Sequence, residues 1–306
     1  MGNLRGGCSK PFAMDAWLSD FIAAEGLPPD FAETALAICA PLAARIVADA
    51  RTPGFVVGVC GSQASGKSTL TAVLRRVLED KGLKVASLSL DDLYLTRAQR
   101  QDLAREVHPL LATRGVPGTH DVALGLAVLD GLAGPGETLL PAFDKAVDDR
   151  RLQGAPVAGP VDVILFEGWC VGAVPQADIA APINTLERDR DPDGRWRTFV
   201  NDALAGPYQD LFARIDLLVL LKAPSFEVVL AWRQEQEAKL RARLTREGGD
   251  LKRAMTAAQV ADFIAHYERL TRRILAEMPG RADMVVALDQ QRRPEATAAP
   301  PPRPAP

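Results

Sequence analysis

The chain is predicted to fold as an α/β domain, with a doubly wound, mostly parallel sheet and helices on both faces. Two observations carry this. Several short runs are nearly continuous in apolar residues, among them 55–60, 161–166 and 215–221, as strands covered on both faces must be. Segments of helical length separate these runs, and strand–helix alternation is the pattern of a doubly wound sheet. The chain has 306 residues and 47% apolar content, enough for one large core.

Taken in order, residues 12–51 read as mostly helical, because Phe31, Ala35, Ile38, Leu42 and Ile46 recur every three or four positions. Pro41 is expected to bend or divide that helix, since it lacks the N–H of a helical bond. Pro53 and Gly54 then break the pattern before the first core strand. Further strands are expected at 84–90, 161–166, 215–221 and, shorter, 284–288. Helices are expected at 70–81, 122–132, 226–246 and 257–278, the last with Val260, Phe263, Tyr267 and Leu270 along one face. Segments 94–121 and 172–210 read as excursions from the sheet, of the kind that forms substrate sites, lids or solvated loops. The organisation expected is a helical extension over 1–52, one main domain over 53–289, and a disordered Pro/Ala-rich tail over 290–306.

Composition narrows the classes. A net charge of -3 gives no electrostatic case for nucleic acid or an acidic membrane surface. No apolar run reads as long enough to span a bilayer. The first residues lead into no signal-peptide apolar stretch, and Gly6 stands where a myristoylation motif wants Ser or Thr. Cys8, Cys39, Cys60 and Cys170 fit neither a metal clip nor a small disulfide scaffold, and Cys60 reads as a buried thiol at the end of a strand. The expectation is a reduced, cytoplasmic protein that binds neither nucleic acid nor membrane.

The first strand runs into Gly61-Ser62-Gln63-Ala64-Ser65-Gly66-Lys67-Ser68-Thr69, and a helical pattern follows. This is the Gly-x-x-x-x-Gly-Lys-Ser spacing of a phosphate-binding loop. Glycines allow successive backbone N–H groups to turn toward phosphate oxygens, and the helix adds the positive end of its dipole. Lys67 reaches the outer phosphates of ATP, and the Ser68 hydroxyl suits magnesium. Glu167, after the strand at 161–166, is the candidate carboxylate for magnesium or its water. Asp91 and Asp92 follow the strand at 84–90, where ligands of open α/β sheets bind. Asp91 is the candidate base for an acceptor hydroxyl, against the alternative of a helix cap. Arg114, Lys145 and Arg150 are natural partners for a carboxylate-bearing substrate. His120 and Asp121 stand beside them, with structural or helix-capping roles as the alternative. The charged helix at 226–246 is either a solvated surface helix or a lid that delivers an arginine to the phosphoryl group, with Arg233 the candidate.

In this order the motifs resemble a family. The matching pieces are Gly61 to Thr69, Asp91-Asp92-Leu93-Tyr94, Gly118-Thr119-His120-Asp121, Phe143-Asp144-Lys145, Phe166-Glu167-Gly168-Trp169 and Trp232-Arg233-Gln234, with Phe263, Tyr267, Glu268 and Arg269 in the last helix. They are similar to those of the plant-type D-glycerate 3-kinases and their microbial relatives. These are P-loop kinases akin to phosphoribulokinase, uridine kinase and pantothenate kinase. The resemblance spans about residues 54 to 292. It implies a P-loop NTPase fold with a helical lid, ATP and Mg2+, and transfer of a phosphoryl group to the 3-hydroxyl of D-glycerate, a small hydroxy acid. In the wider superfamily an Asp at the position of Asp91 looks like the general base, and Arg150 resembles a substrate-side arginine. Lys67 and Arg233 are the other catalytic candidates, and Asp92, Tyr94, Arg114, His120, Asp121 and Lys145 join Arg150 as candidates for the acceptor site. Leu93 stands where the family usually has Phe, and Phe143 where Tyr is common. Two alternatives stay open: a kinase of the same fold for pantothenate, a nucleoside or a sugar phosphate, and a regulatory P-loop ATPase with no small acceptor.

Overall fold

The structure, a computed structural model, describes residues 14–151 and 154–295. Two helices come first, α1 (Met14–Glu25) and α2 (Phe31–Asp49). The break between them falls at residues 26–30, where Gly26 takes a positive φ and Pro28 and Pro29 follow. Pro41 lies inside α2, which runs on undivided through it. The missing hydrogen bond is offset by burial of Ala35, Ile38, Cys39, Leu42, Ala43 and Ile46. α2 also has the length and apolar composition of a membrane span, which corrects the expectation that no run does. Its buried stripe belongs to the core layer that includes Leu70, Val73 and Leu74 of the following helix, so its apolar residues serve a helix–helix contact.

The central sheet follows from the apolar runs. In chain order the elements are β1 (Phe55–Gly61), α3 (Lys67–Asp80), β2 (Val85–Ser89), α4 (Arg97–Glu106) and α5 (Val122–Ala133). Four short strands come next, β3 (Gly136–Leu140), β4 (Phe143–Asp144), β5 (Asp149–Arg150) and β6 (Ala155–Gly159), then β7 (Val163–Gly168). Helices α6 (Thr185–Arg190), α7 (Arg195–Ala205) and α8 (Pro207–Phe212) precede β8 (Leu217–Lys222). The chain continues through α9 (Phe226–Glu247), α10 (Ala257–Ala265), α11 (Glu268–Glu277) and β9 (Met284–Ala287). The five-stranded sheet has the order β2-β7-β1-β8-β9, and every neighbouring pair is parallel. Alternate side chains of β1 serve opposite layers: Val56 and Cys60 join the core with α5 and α8, whereas Val57 and Val59 join the core with α2 and α3. Three aspartates tie strand starts to their neighbours. Asp162, Asp216 and Asp283 accept the backbone N–H of Lys84, Val56 and Leu218 at 2.7, 2.8 and 2.8 Å. That pins one end of the sheet and leaves the carboxyl ends of the strands to carry a site.

The predicted helix over 257–278 is two helices. At the junction the His266 and Tyr267 N–H groups bond carbonyls only three residues back, at 3.3 and 2.9 Å, and the Tyr267 hydroxyl is drawn to the Arg114 carbonyl at 2.9 Å. The segments at 94–121 and 172–210 are not bare loops, since they contain α4, α6 and α7 and the start of α8. Residues 143–150 form the β4–β5 hairpin. In the tail, residues 290–295 fold back on β9, with the Glu295 N–H bonding the Ala287 carbonyl at 2.8 Å. The rest of the expected tail, 296–306, lies outside the described residues.

Candidate active site

β1 delivers the glycine-rich loop to the start of α3. Gly66, immediately before α3, has φ 87°, a left-handed conformation that side chains resist. Gly61 is close-packed, because a Cβ there would stand 2.8 Å from Ser65 Oγ. Lys67 and Ser68 open α3 and turn toward Glu167 at the end of β7. The Ser68 hydroxyl donates to Glu167 Oε1 at 2.8 Å, and Lys67 Nζ lies 3.8 Å from Oε2. Among the described residues the buried Ser62 Oγ, Ser65 Oγ, Gln63 Oε1 and Glu167 Oε2 have no hydrogen-bond partner. Buried polar atoms without partners cost free energy, so a site that keeps four of them, three on the loop and one on β7, fits a polyanion and a cation. Ser68 and Glu167 are the oxygens suited to magnesium, and Lys67 is the cation suited to phosphate.

β2 ends at Ser89, and one 3-10 turn, Leu90–Leu93, follows. The Ser89 hydroxyl accepts the Asp91 N–H at 3.3 Å and orients that turn. Asp91 is gripped from two sides. The Tyr94 hydroxyl donates to Oδ1 at 2.6 Å, and Lys145 Nζ donates to Oδ2 at 2.6 Å. Burial alone would raise its carboxyl, but the Lys145 and Lys67 charges and these hydrogen bonds prevail and hold it well below the usual carboxylate range. Asp91 is therefore ionised. Asp92 turns the other way and accepts the Phe143 N–H at 3.1 Å. Burial, with the charges of Asp91 and Glu167, raises its carboxyl.

Lys145 sits on the turn of the β4–β5 hairpin, and Phe143 anchors that hairpin. Phe143 is buried, meets Tyr94 edge-on with ring centroids 5.1 Å apart, and has the guanidinium groups of Arg100 and Arg114 each 5.5 Å from its ring centre. Both arginines pair with Asp148 on the same turn. Arg114 is held at its backbone as well: Tyr267 donates to its carbonyl, and Trp169 Nε1 donates to the Gly115 carbonyl at 2.7 Å.

A cleft of about 910 Å³ joins these parts. Its lining includes Gln63, Lys67, Ser68, Asp91, Tyr94, Arg114, Lys145 and Glu167, and α9 contributes Arg233 and Arg243 from the far side. Arg233 pairs with the buried Glu237 at 2.7 Å, which fixes it against α9. Asp92, His120, Asp121 and Arg150 do not line this cleft. His120 is buried, stacks on Tyr94 at 4.7 Å and shares a 2.5 Å hydrogen bond with Tyr208. Burial lowers its imidazole to about 3, so it is neutral. Asp121 caps α5 by accepting the Leu124 N–H at 3.0 Å and pairs with Arg150 at 3.1 Å. Arg150 also donates to the Tyr94 carbonyl at 3.0 Å. These residues hold the Asp91–Tyr94 turn from behind. Sequence reasoning assigned no role to Arg100 or Asp148, and Trp169 entered only as the last residue of the Phe-Glu-Gly-Trp piece; the nearest signal for Asp148 is the Phe-Asp-Lys motif three residues before it.

No family model matches the chain. Curated proteins and solved structures do. An uncharacterised kinase of Schizosaccharomyces pombe is 34% identical over 230 residues, covering 70% of this chain and 78% of the relative. The chloroplastic D-glycerate 3-kinase of Arabidopsis thaliana is 30% identical over 264 residues, covering 79% of this chain and 54% of the plant protein. The chain thus matches about half the length of that relative. Among solved structures, a D-glycerate 3-kinase of Cryptococcus neoformans superposes with a TM-score of 0.65 at 26% identity, covering 93% of this chain and 98% of the other.

Proposed function

The chain belongs to the plant-type D-glycerate 3-kinase family of P-loop kinases and is an ATP-dependent phosphotransferase; from that premise we propose that its acceptor is D-glycerate and its product 3-phosphoglycerate. One observation supports this most. The ionised Asp91 faces the phosphate loop and is paired with a lysine that is 59% exposed, with Arg114 also on the cleft. A hydroxy acid presents the complementary pair, a hydroxyl to deprotonate and a carboxylate to hold.

Bound ATP supplies the transferable phosphoryl group; Ser68 and Glu167 would hold Mg2+, which would offset the charge of the phosphate oxygens. The protein does the rest. The loop and Lys67 fix the phosphates, and Asp91 accepts the hydroxyl proton at Oδ1 or Oδ2. In the resting site Lys145 makes Asp91 a weak base. An acceptor carboxylate that draws Lys145 to itself raises the proton affinity of Asp91 when an acceptor is present. The same exchange keeps water from being activated in its absence. The enzyme works where a reducing cytoplasm keeps its buried thiols free.

The test is coupled ADP release from ATP and magnesium with and without D-glycerate, with the product identified by phosphorus NMR. Strong stimulation with a 3-phosphoglycerate signal is expected. Equal release with and without D-glycerate would reject the acceptor and send the search to pantothenate and nucleosides.

A further inference from the structure

The phosphate loop has an external brace. After β9 the chain makes a tight turn at residues 289–293. Asp289 Oδ1 accepts the N–H groups of Gln291 and Arg293 at 2.8 and 2.9 Å, and the Arg292 N–H bonds the Asp289 carbonyl at 3.0 Å. The tip residue, Arg292, takes φ 66°, in the left-handed region that a long side chain occupies only under constraint. Its guanidinium reaches three places. Nε donates to the Ala64 carbonyl at 2.8 Å, Nη2 donates to Glu235 at 2.8 Å, and the group lies 5.0 Å over the ring of Trp232. Trp232 returns the contact, donating Nε1 to the Gln290 carbonyl at 2.7 Å.

Ala64 is the crown of the phosphate loop and is itself at φ 59°. An L-residue there favours other conformations, and the loop binds phosphate only while its backbone keeps one arrangement. We propose that Arg292 is a positioning residue of the nucleotide site, holding the Ala64 carbonyl in place and coupling the loop to α9 through Glu235 and Trp232. The contact spans 228 positions of sequence and joins the phosphate loop, α9 and the turn after β9 at one guanidinium. A planar cation suits this, because it donates from two edges while its face covers the indole. Arg292 acts on the ATP side of the site, whatever the acceptor.

The experiment compares the full chain with Arg292→Ala, Arg292→Lys and Arg293→Ala. Arg293 is the control: it stands in the same turn but pairs with Asp289. ATP affinity is measured by titration calorimetry with magnesium, and amide hydrogen exchange is followed in the free protein over residues 61–68. Arg292→Ala is expected to weaken ATP binding roughly 5- to 10-fold and to speed exchange in the loop while α5 and β7 keep their protection. Arg292→Lys, able to donate once but not to bridge, should recover part of both. Arg293→Ala should match the parent. Unchanged affinity and exchange in Arg292→Ala would overturn the proposal. So would an equal loss in Arg293→Ala, since charge alone would then be responsible. If Arg292→Ala fails to fold, Arg292→Lys decides, and parental affinity with parental exchange in it would reject the brace.

Discussion

Asp91→Asn separates chemistry from binding and folding in one substitution. Asn has the same shape and keeps an oxygen for the Tyr94 hydroxyl, so the turn at Leu90–Leu93 has no steric reason to move. What is lost is the charge facing Lys145. That lysine is 59% exposed and the carboxylate 28%, so water screens the pair and its share of stability is about 0.5–1 kcal/mol. In a chain of this size that is a shift of roughly 2 °C in melting temperature. The kinetic effect is larger. A positioned general base contributes about 10²- to 10⁴-fold, or about 2.7–5.5 kcal/mol of barrier. Asp91 makes no hydrogen bond to the loop, and removing a negative charge near Lys67 does not oppose the phosphates, so ATP affinity should stay within about twofold. Titration calorimetry with ATP, coupled ADP release and a thermal melt read the three quantities separately. Turnover within about tenfold of the parent, with ATP affinity intact, would refute Asp91 as the base.

Lys145→Met should raise the acceptor KM by about tenfold or more, leave ATP affinity unchanged and increase ADP release without acceptor; steady-state kinetics on both substrates checks this. Gly115→Ala places a Cβ 1.9 Å from the Tyr267 hydroxyl at φ 125°, so a loss of about 2–4 kcal/mol is expected in a denaturant melt. His120 lies at about 3 when folded and near 6.5 when unfolded. Above 6.5 neither state holds the proton; as pH falls only the unfolded state takes it up, so stability declines from about 6.5 toward 3. His120→Gln should show a shallower loss of melting temperature between about pH 6.5 and pH 4, and an identical slope would contradict a buried neutral imidazole.

The nucleotide half of the site was legible in the sequence because it is local. Gly61 to Thr69 are contiguous, and strand, turn and helix each leave a pattern there. Asp91 and Glu167 were legible because carboxyl ends of parallel strands gather at one edge. The acceptor half was legible only in part. The helix-cap role of Asp121 is local and was legible, but the roles of Asp92 and Arg150 depend on Phe143, Asp121 and Tyr94, dozens of positions away, and spacing carries no trace of them. Arg100 is fully buried although its helix reads as polar, because Asp148 and the Leu95 carbonyl take up its charge and hydrogen bonds. The break in the predicted helix over 257–278 was invisible for the same reason, since Tyr267 answers to the distant Arg114 carbonyl.

The hairpin that carries Lys145 has a consequence for how such enzymes diversify. The phosphate loop is rooted in the sheet, whereas Lys145, which lines the cleft and pairs with Asp91, hangs on a two-strand finger. That finger is fastened at Phe143 and Asp148. Its tip is exposed and its footing is buried, so exposed tip residues such as Val147 vary at little structural cost, whereas Lys145 and Asp148 are tied to Asp91 and to the two arginines. Acceptor preference in this architecture is thus a trait that selection, or a designer exchanging fingers between relatives, can retune over a handful of positions.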